Sequence, residues 1–223
     1  MEYAVDWEQA SKATTDYIHN CGFTYTSVIS PPQPFPDGDA CVGMILEGYS
    51  SSIEVTVQEY LGSVLNSPLR QDTAYQLDFY VGFGTSVDEN VLRLPDDVEL
   101  GLFGYQTEAN FEIPTWECPT KMPNSQWELI STIDVEVQAD SWVRVSMKFT
   151  PGISYESIIL GSVCSDTQDE IGSYIFIDDL ILSKKDNFSY DAPQKLGSTC
   201  EENLMLQARE INISDPGYQW YLD

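Results

Sequence analysis

Basic residues are scarce in this sequence. The chain of 223 residues has 10 Lys and Arg against 36 Asp and Glu, which gives a formal net charge of −26. Because phosphate groups are bound mainly by Lys and Arg, the shortage argues against nucleic acid and anionic lipid as partners. The acidic excess is consistent with either the solubility of a secreted or salt-exposed protein or the presence of calcium sites.

Long apolar runs and catalytic motifs are also missing. No apolar run approaches the roughly 18 residues of a membrane-spanning helix, so we expect no membrane insertion. His19 is the sole histidine, and no Gly-x-Ser-x-Gly, P-loop or dinucleotide-binding motif occurs. Catalysis therefore has little support, although two carboxylates alone could hydrolyse a glycoside.

The five cysteines contain no Cys-x-x-Cys pair, and with one histidine they cannot form a typical zinc set. We therefore expect disulfides in an oxidising compartment, and hence an extracellular or cell-surface location. We predict that Cys21 pairs with Cys41 and Cys118 with Cys164, although four cysteines allow three connectivities. Cys200 is then left for a partner beyond Asp223.

Alternation of apolar and polar residues predicts β-strands at residues 53–57, 75–83 and 143–149. Shorter candidates lie at residues 41–46, 98–103, 129–137, 157–161 and 174–182. Residues 7–20 have no clean period and are predicted to be loop, and Ser67-Pro68 is predicted to be a turn. Many strands, frequent turns and almost no helix predict an all-β protein, an antiparallel jelly-roll β-sandwich.

The sequence predicts three segments. The jelly roll would occupy residues 1–185, a linker residues 186–198, and the start of a second, truncated β module residues 199–223. The last six residues, 218–223, resemble a strand of that module.

Several phrases, taken in order, resemble the jelly-roll domain found near the start of large Bacteroidetes-type surface proteins, which are exported by type IX secretion and associated with gliding motility. They are Thr-Asp-Tyr-Ile-His-Asn-Cys at 15–21, Phe-Pro-Asp-Gly-Asp-Ala-Cys-Val-Gly at 35–43, Glu-Tyr-Leu at 59–61, Ser-Pro-Leu at 67–69, Thr-Ala-Tyr-Gln-Leu-Asp-Phe-Tyr-Val at 73–81 and Tyr-Ile-Phe-Ile-Asp-Asp-Leu at 174–180. The resemblance implies a galactose-binding-like fold, close to that of carbohydrate-binding modules. From residue 199 the chain resembles the start of an immunoglobulin-like repeat, so further repeats of this kind are expected partners in the same chain.

The resemblance also implies a structural calcium ion. Related jelly rolls commonly bind Ca²⁺ at paired acids ending the last strand, here Asp178 and Asp179, together with an acid from the first strand, here Glu2. The alternative is a strand-end acid held by hydrogen bonds, because a buried carboxylate needs either a cation or donors. Asp37 and Asp39 are a weaker candidate pair, with a turn of two solvated acids as the alternative.

Aromatic residues in the long segment between strands are candidates for sugar binding. A flat aromatic ring can support a sugar ring while carboxylates and amides bind its hydroxyls. The candidates are Tyr105, Trp116 and Trp127, with Gln106, Glu108 and Asn110 nearby. The alternative is that the tryptophans cover the edge of the sandwich, with Cys118 fixing the segment.

The favoured hypothesis is a non-catalytic extracellular module for adhesion or polysaccharide recognition. A structural spacer without a ligand is the second hypothesis, and a glycoside hydrolase is the third.

Overall fold

The computed structural model describes residues 7–12, 15–21, 29–50, 55–86, 92–114, 117–164, 172–185, 194–196 and 205–207. Glu2 and Trp116 therefore lie outside the described residues. The strands are β1 (Glu8–Gln9), β2 (Asp16–His19), β3 (Ile29–Ser30), β4 (Ala40–Ser50), β5 (Val55–Val57), β6 (Tyr60–Leu69), β7 (Tyr75–Phe83), β8 (Thr85–Ser86), β9 (Leu92–Arg93), β10 (Val98–Tyr105), β11 (Glu128–Val135), β12 (Ser141–Phe149), β13 (Tyr155–Ser162), β14 (Gly172–Lys184), β15 (Gln194–Leu196) and β16 (Met205–Gln207).

The described helix is a single 3₁₀ turn at Pro119–Lys121. Within the described part of the chain, no helix has the length and apolar character needed to cross a membrane.

Two sheets form the sandwich. The five-stranded sheet has the order β1-β6-β13-β10-β11, and the seven-stranded sheet has the order β12-β7-β14-β4-β2, with β5 beside β4 and β9 beside β14. The long strands pair antiparallel, and the short β9 lies parallel to β14. The predicted all-β jelly-roll sandwich is confirmed.

The main core fills the space between the sheets. Leu77, Phe79 and Val81 of β7 and Ile175 and Ile177 of β14 are fully buried in it. Alternate residues of a strand face opposite sides, so the residues between them lie on the outer face. Burying one large apolar side chain contributes about 1.5–3 kcal/mol, so this layer supplies most of the favourable free energy of folding.

Each sheet also has a covered region on its outer face. On the five-stranded sheet, a second apolar cluster joins Tyr60, Phe103 and Ile159 of the strands to Ile113 and Trp127 of the segment 106–127. On the seven-stranded sheet, a third cluster forms under residues 31–39, between β3 and β4, which we call the proline-rich segment. Its buried members are Ile18, Ile29, Phe35, Cys41, Tyr174 and Phe176.

Two predictions along the chain are wrong. Ser67-Pro68 lies in β6 and not in a turn, because a bulge accommodates the proline. Leu69 pairs with Tyr155 and Val64 pairs with Ser157, so the four residues of β6 between these pairs lie opposite a single residue of β13. Residues 16–19, predicted to be loop, form β2 because they pair with the edge of β4.

The cysteines give one confirmed and one wrong prediction. Cys118 and Cys164 form a disulfide, with their Cα atoms 5.4 Å apart. The predicted Cys21–Cys41 pair is wrong, because Cys41 is a free thiol buried in the third cluster. In the pairing of β2 with β4, the residue opposite Cys41 is Ile18. Cys21 lies past the end of β2, where it is exposed, and it is disulfide-bonded to a residue other than Cys41.

The predicted linker contains one strand of a hairpin. Gln194–Leu196 pairs antiparallel with Met205–Gln207. The proposed boundaries at residues 185 and 199 remain predictions.

Candidate functional site

The outer face of the seven-stranded sheet is only partly covered. Past the third cluster, five polar or aromatic side chains of β7, β12 and β14 lie together on this face, and we call them the open face. They are Gln76, Asp78, Tyr80, Arg144 and Asp178.

Strand register places Tyr80 at the centre of the open face. Arg144 of β12 is its partner on one side and Asp178 of β14 its partner on the other. Adjacent strands are about 4.8 Å apart, so the outer two residues stand about 10 Å apart across the tyrosine. Tyr80 is half-buried, and its hydroxyl makes no hydrogen bond to any described residue. An aromatic ring with an unused hydroxyl thus lies between a cationic and an acidic side chain.

Asp78 and Arg144 form an ion pair on this face. The Arg144 guanidinium donates to Asp78 Oδ2 at 3.1 Å, and Gln76 Nε2 donates to Asp78 Oδ1 at 2.9 Å. The side chain of Asp78 is 8% exposed and that of Arg144 is 63% exposed. The buried carboxylate therefore orients an arginine whose remaining N–H groups are available to a ligand.

Asp178 lies where the open face meets the proline-rich segment. Its carboxylate accepts the backbone N–H of Asp37 at 3.0 Å and that of Asp179 at 2.8 Å. Burial raises the pKa of Asp178 to about 7; the two N–H donors oppose this shift, while the neighbouring charges of Asp37 and Asp179 add to it. Asp179 has a positive φ of 51°, next to the bulge that displaces the register of β14.

The predicted calcium site has only part of its ligand set among the described residues, namely Asp178 and Asp179. Among the described residues, no group of three or more His, Cys, Asp or Glu side chains could hold a metal ion. Both oxygens of Asp178 accept N–H groups, as in the alternative of an acid held by hydrogen bonds. The predicted position at a strand end is wrong, because β14 continues past the bulge to Lys184. Glu2 lies outside the described residues, so calcium at Glu2, Asp178 and Asp179 stays a proposal.

Two of the predicted sugar-binding aromatic residues pack against each other. The ring centroids of Tyr105 and Trp127 lie 5.1 Å apart, and Phe111 also stacks on Trp127, with ring centroids 6.3 Å apart. Trp127 is only 7% exposed, so its ring faces the second cluster. Gln106 and Glu108 are exposed on the same segment. The structure thus brings these residues together on the five-stranded sheet, away from the open face.

Trp142 and His19 have structural contacts. Trp142 covers Gly82, where a Cβ atom would lie 2.7 Å from the indole, and its Nε1 donates to Pro32 O at 2.9 Å. His19 Nδ1 accepts the N–H of Cys21 at 3.0 Å.

The sequence analysis missed the residues of the open face. Their signal was present, because Gln76, Asp78 and Tyr80 are the polar positions of the alternating strand β7. What the sequence did not provide is the register that puts Arg144 and Asp178 on either side of Tyr80.

No protein-family model matches the chain, and no curated protein matches it. Among solved structures, the CBM22-1 and GH10 modules of an endo-1,4-beta-D-xylanase from Clostridium thermocellum, complexed with xylohexaose, are 14% identical with a TM-score of 0.43. That match covers 84% of this chain and 27% of the xylanase chain.

Two further structures are similar. The C-terminal family 22 carbohydrate-binding module of the Clostridium thermocellum xylanase is 9% identical, with a TM-score of 0.43, covering 82% of this chain and 87% of the module. The K1 cleaved adhesin domain of Lys-gingipain from Porphyromonas gingivalis is 14% identical, with a TM-score of 0.38, covering 80% of this chain and 97% of the domain. These similarities are too remote to assign a ligand to this chain.

Proposed function

We propose that this chain is a non-catalytic extracellular module that recognises a polysaccharide through the open face. The observation that supports this is the pairing of Tyr80 with Arg144, in which a half-buried aromatic ring lies beside an exposed guanidinium whose remaining N–H groups can bind hydroxyls. Sugars present both an apolar ring face and a rim of hydroxyls, so a binding surface needs both kinds of contact.

The contacts of the two acids support binding over hydrolysis. A glycosidase needs one carboxyl group that gives up a proton and a second that acts as base or nucleophile. Asp78 is engaged by Arg144 and Gln76, and both oxygens of Asp178 accept backbone N–H groups. Turnover of a polysaccharide that is lost in Asp178→Asn would instead favour the glycosidase.

The cellular setting follows from the resemblance and from the disulfide. The Cys118–Cys164 bond supports an oxidising, extracellular location. Type IX export, attachment to the cell surface and adjoining immunoglobulin-like repeats are part of the same proposal. Reading the chain beyond Asp223 for a completed repeat and a sorting domain tests them.

The binding proposal is tested on a glycan array, followed by calorimetric titration of the best neutral oligosaccharide. We expect Tyr80→Ala to weaken binding at least about 10-fold, which corresponds to about 1.4 kcal/mol, whereas Tyr80→Phe retains the ring and most of the affinity. Leu129→Ala, at an exposed position of the other sheet, is the control. Flat signals across the array, or equal affinity in Tyr80→Ala, would favour the structural spacer.

A further inference from the structure

A recess opens between the two sheets, at the edge formed by β6 and the C-terminal half of β14. It has a volume of about 480 Å³, within the range of small-ligand sites. The bulge of β6 forms one wall, where Asn66 and Ser67 are exposed, and Leu180 and Leu182 of β14 form the other. We call it the edge cleft.

Two cationic side chains, Arg70 and Lys184, line the edge cleft. Both are exposed, and neither forms an ion pair within the described part of the chain. The described lining contains no Asp or Glu, although the whole chain has 36 acids and 10 basic residues. Within the described lining, the charged side chains are therefore both cationic.

Ordered backbone holds Arg70 in place. Its N–H donates to the Tyr75 hydroxyl at 3.0 Å, and the next N–H, that of Gln71, donates to Ser154 Oγ at 3.1 Å. The ring of Tyr75 stacks on Phe149 at 6.0 Å. The guanidinium therefore extends from a fixed point at the end of β6.

The remaining lining suits a sugar ring. Trp7 lines the cleft, is half-buried, and packs against the main core. Asn66 and Ser67, exposed on the bulge of β6, add an amide and a hydroxyl group to the lining. Arginine binds a carboxylate through two parallel N–H bonds, and lysine adds a second positive charge.

From this combination we propose that the edge cleft binds a uronic acid residue of an acidic polysaccharide. The carboxylate pairs with Arg70 and Lys184, and the sugar ring lies against Trp7. This is a second site, separate from the open face, and it does not depend on recognition there.

The test is calorimetric titration of the full chain with oligogalacturonate and with the same oligomer after reduction of its carboxyl groups. We expect the acidic oligomer to bind at least 10-fold more tightly than the reduced one, and the affinity to fall as salt is raised. Arg70→Gln should lower the affinity at least 10-fold and Lys184→Gln several-fold. Lys12→Gln, which removes a charge of the same sign outside the cleft, should leave it unchanged.

Four results would overturn the proposal. One is equal binding of the reduced and acidic oligomers, and another is unchanged affinity in Arg70→Gln and Lys184→Gln. The third is equal binding of an acidic peptide such as oligoglutamate, which would assign the cleft to a peptide partner. Tyr80→Ala separates the two sites: it should lose neutral glycan and retain oligogalacturonate, and loss of both would place the acidic sugar on the open face.

Discussion

The two outer faces of the sandwich differ in what covers them. On the five-stranded sheet, residues 106–114 and 117–127 cover part of the outer face, and Trp127 is buried in one cluster with Tyr60 and Phe103. On the seven-stranded sheet, the proline-rich segment buries Phe176 but leaves Tyr80 half-exposed. An aromatic residue in the printed sequence is therefore not evidence of a binding surface: on one face it holds a covering segment, and on the other it is available to a ligand.

The largest expected effect comes from removing the ring that holds the covering segment. We expect Trp127→Ala to lower the free energy of unfolding by about 3–5 kcal/mol, because it leaves a cavity among buried aromatic residues. Tyr80→Ala should cost far less, since that ring is half-exposed. Denaturant unfolding of both variants measures the difference.

This comparison can fail in a definite way. If Trp127→Ala leaves stability unchanged but abolishes glycan binding, the covered face is the recognition surface and the open face is not. Trp127→Phe provides the control, because it keeps an aromatic ring in the second cluster and should recover part of the lost stability.

The second expected effect concerns the disulfide beside the covering segment. Cys118 and Cys164 are 46 residues apart in the chain, and removing a disulfide of this kind typically costs about 2–4 kcal/mol. We expect the double variant Cys118→Ala/Cys164→Ala to speed amide hydrogen exchange in segment 106–127, while exchange on the open face stays unchanged.

Cys41→Ala is the matched control on the opposite face. It removes a free thiol from the third cluster and should leave exchange in segment 106–127 as it is. Faster exchange over both faces in the disulfide variant would mean that the two faces are not independent.

Strands with an uninterrupted alternation of apolar and polar residues could be predicted from the sequence. Strand β7 was predicted at its observed bounds because five apolar residues alternate along it without interruption. Strand β6 was missed because Asn66, Ser67 and Pro68 suggest a turn, and only pairing with β13 reveals that they form a bulge. Local pattern cannot supply that partner.

The site was harder to predict for the same reason. Residues 66 positions apart, Asp78 and Arg144, meet because β7 and β12 are neighbours. The predicted Cys21–Cys41 disulfide failed because Ile18, and not Cys21, lies opposite Cys41 in the pairing of β2 with β4. In both cases the pairing of strands decides the contact, and the sequence does not reveal that pairing.

The third expected effect is a dependence of stability on pH, and it arises at Asp178, where the third cluster meets the open face. Burial raises the pKa of this carboxyl to about 7, above its ordinary value of 3.8 in an unfolded chain. Between these values the folded state holds a proton that the unfolded state has released. Its contribution to stability is therefore complete below about pH 4 and is lost as the pH rises to 7, with a slope of up to about 1.4 kcal/mol per pH unit.

Denaturant unfolding at several pH values, compared between the wild type and Asp178→Asn, measures this slope. The amide oxygen of Asp178→Asn can replace only one of the two carboxylate oxygens that accept N–H groups, so this variant also loses a hydrogen bond. The dependence of stability on pH, and not the absolute stability, is therefore the quantity to compare. Asp134→Asn, at an exposed position, controls for the loss of one carboxylate.

Calcium bound at Glu2, Asp178 and Asp179 would favour the charged carboxylate and remove the dependence of stability on pH. A chelator would restore that dependence and lower the melting temperature. An identical melt with and without chelator rejects the calcium proposal. Equal slopes in the wild type and Asp178→Asn, measured with chelator present, reject the raised pKa.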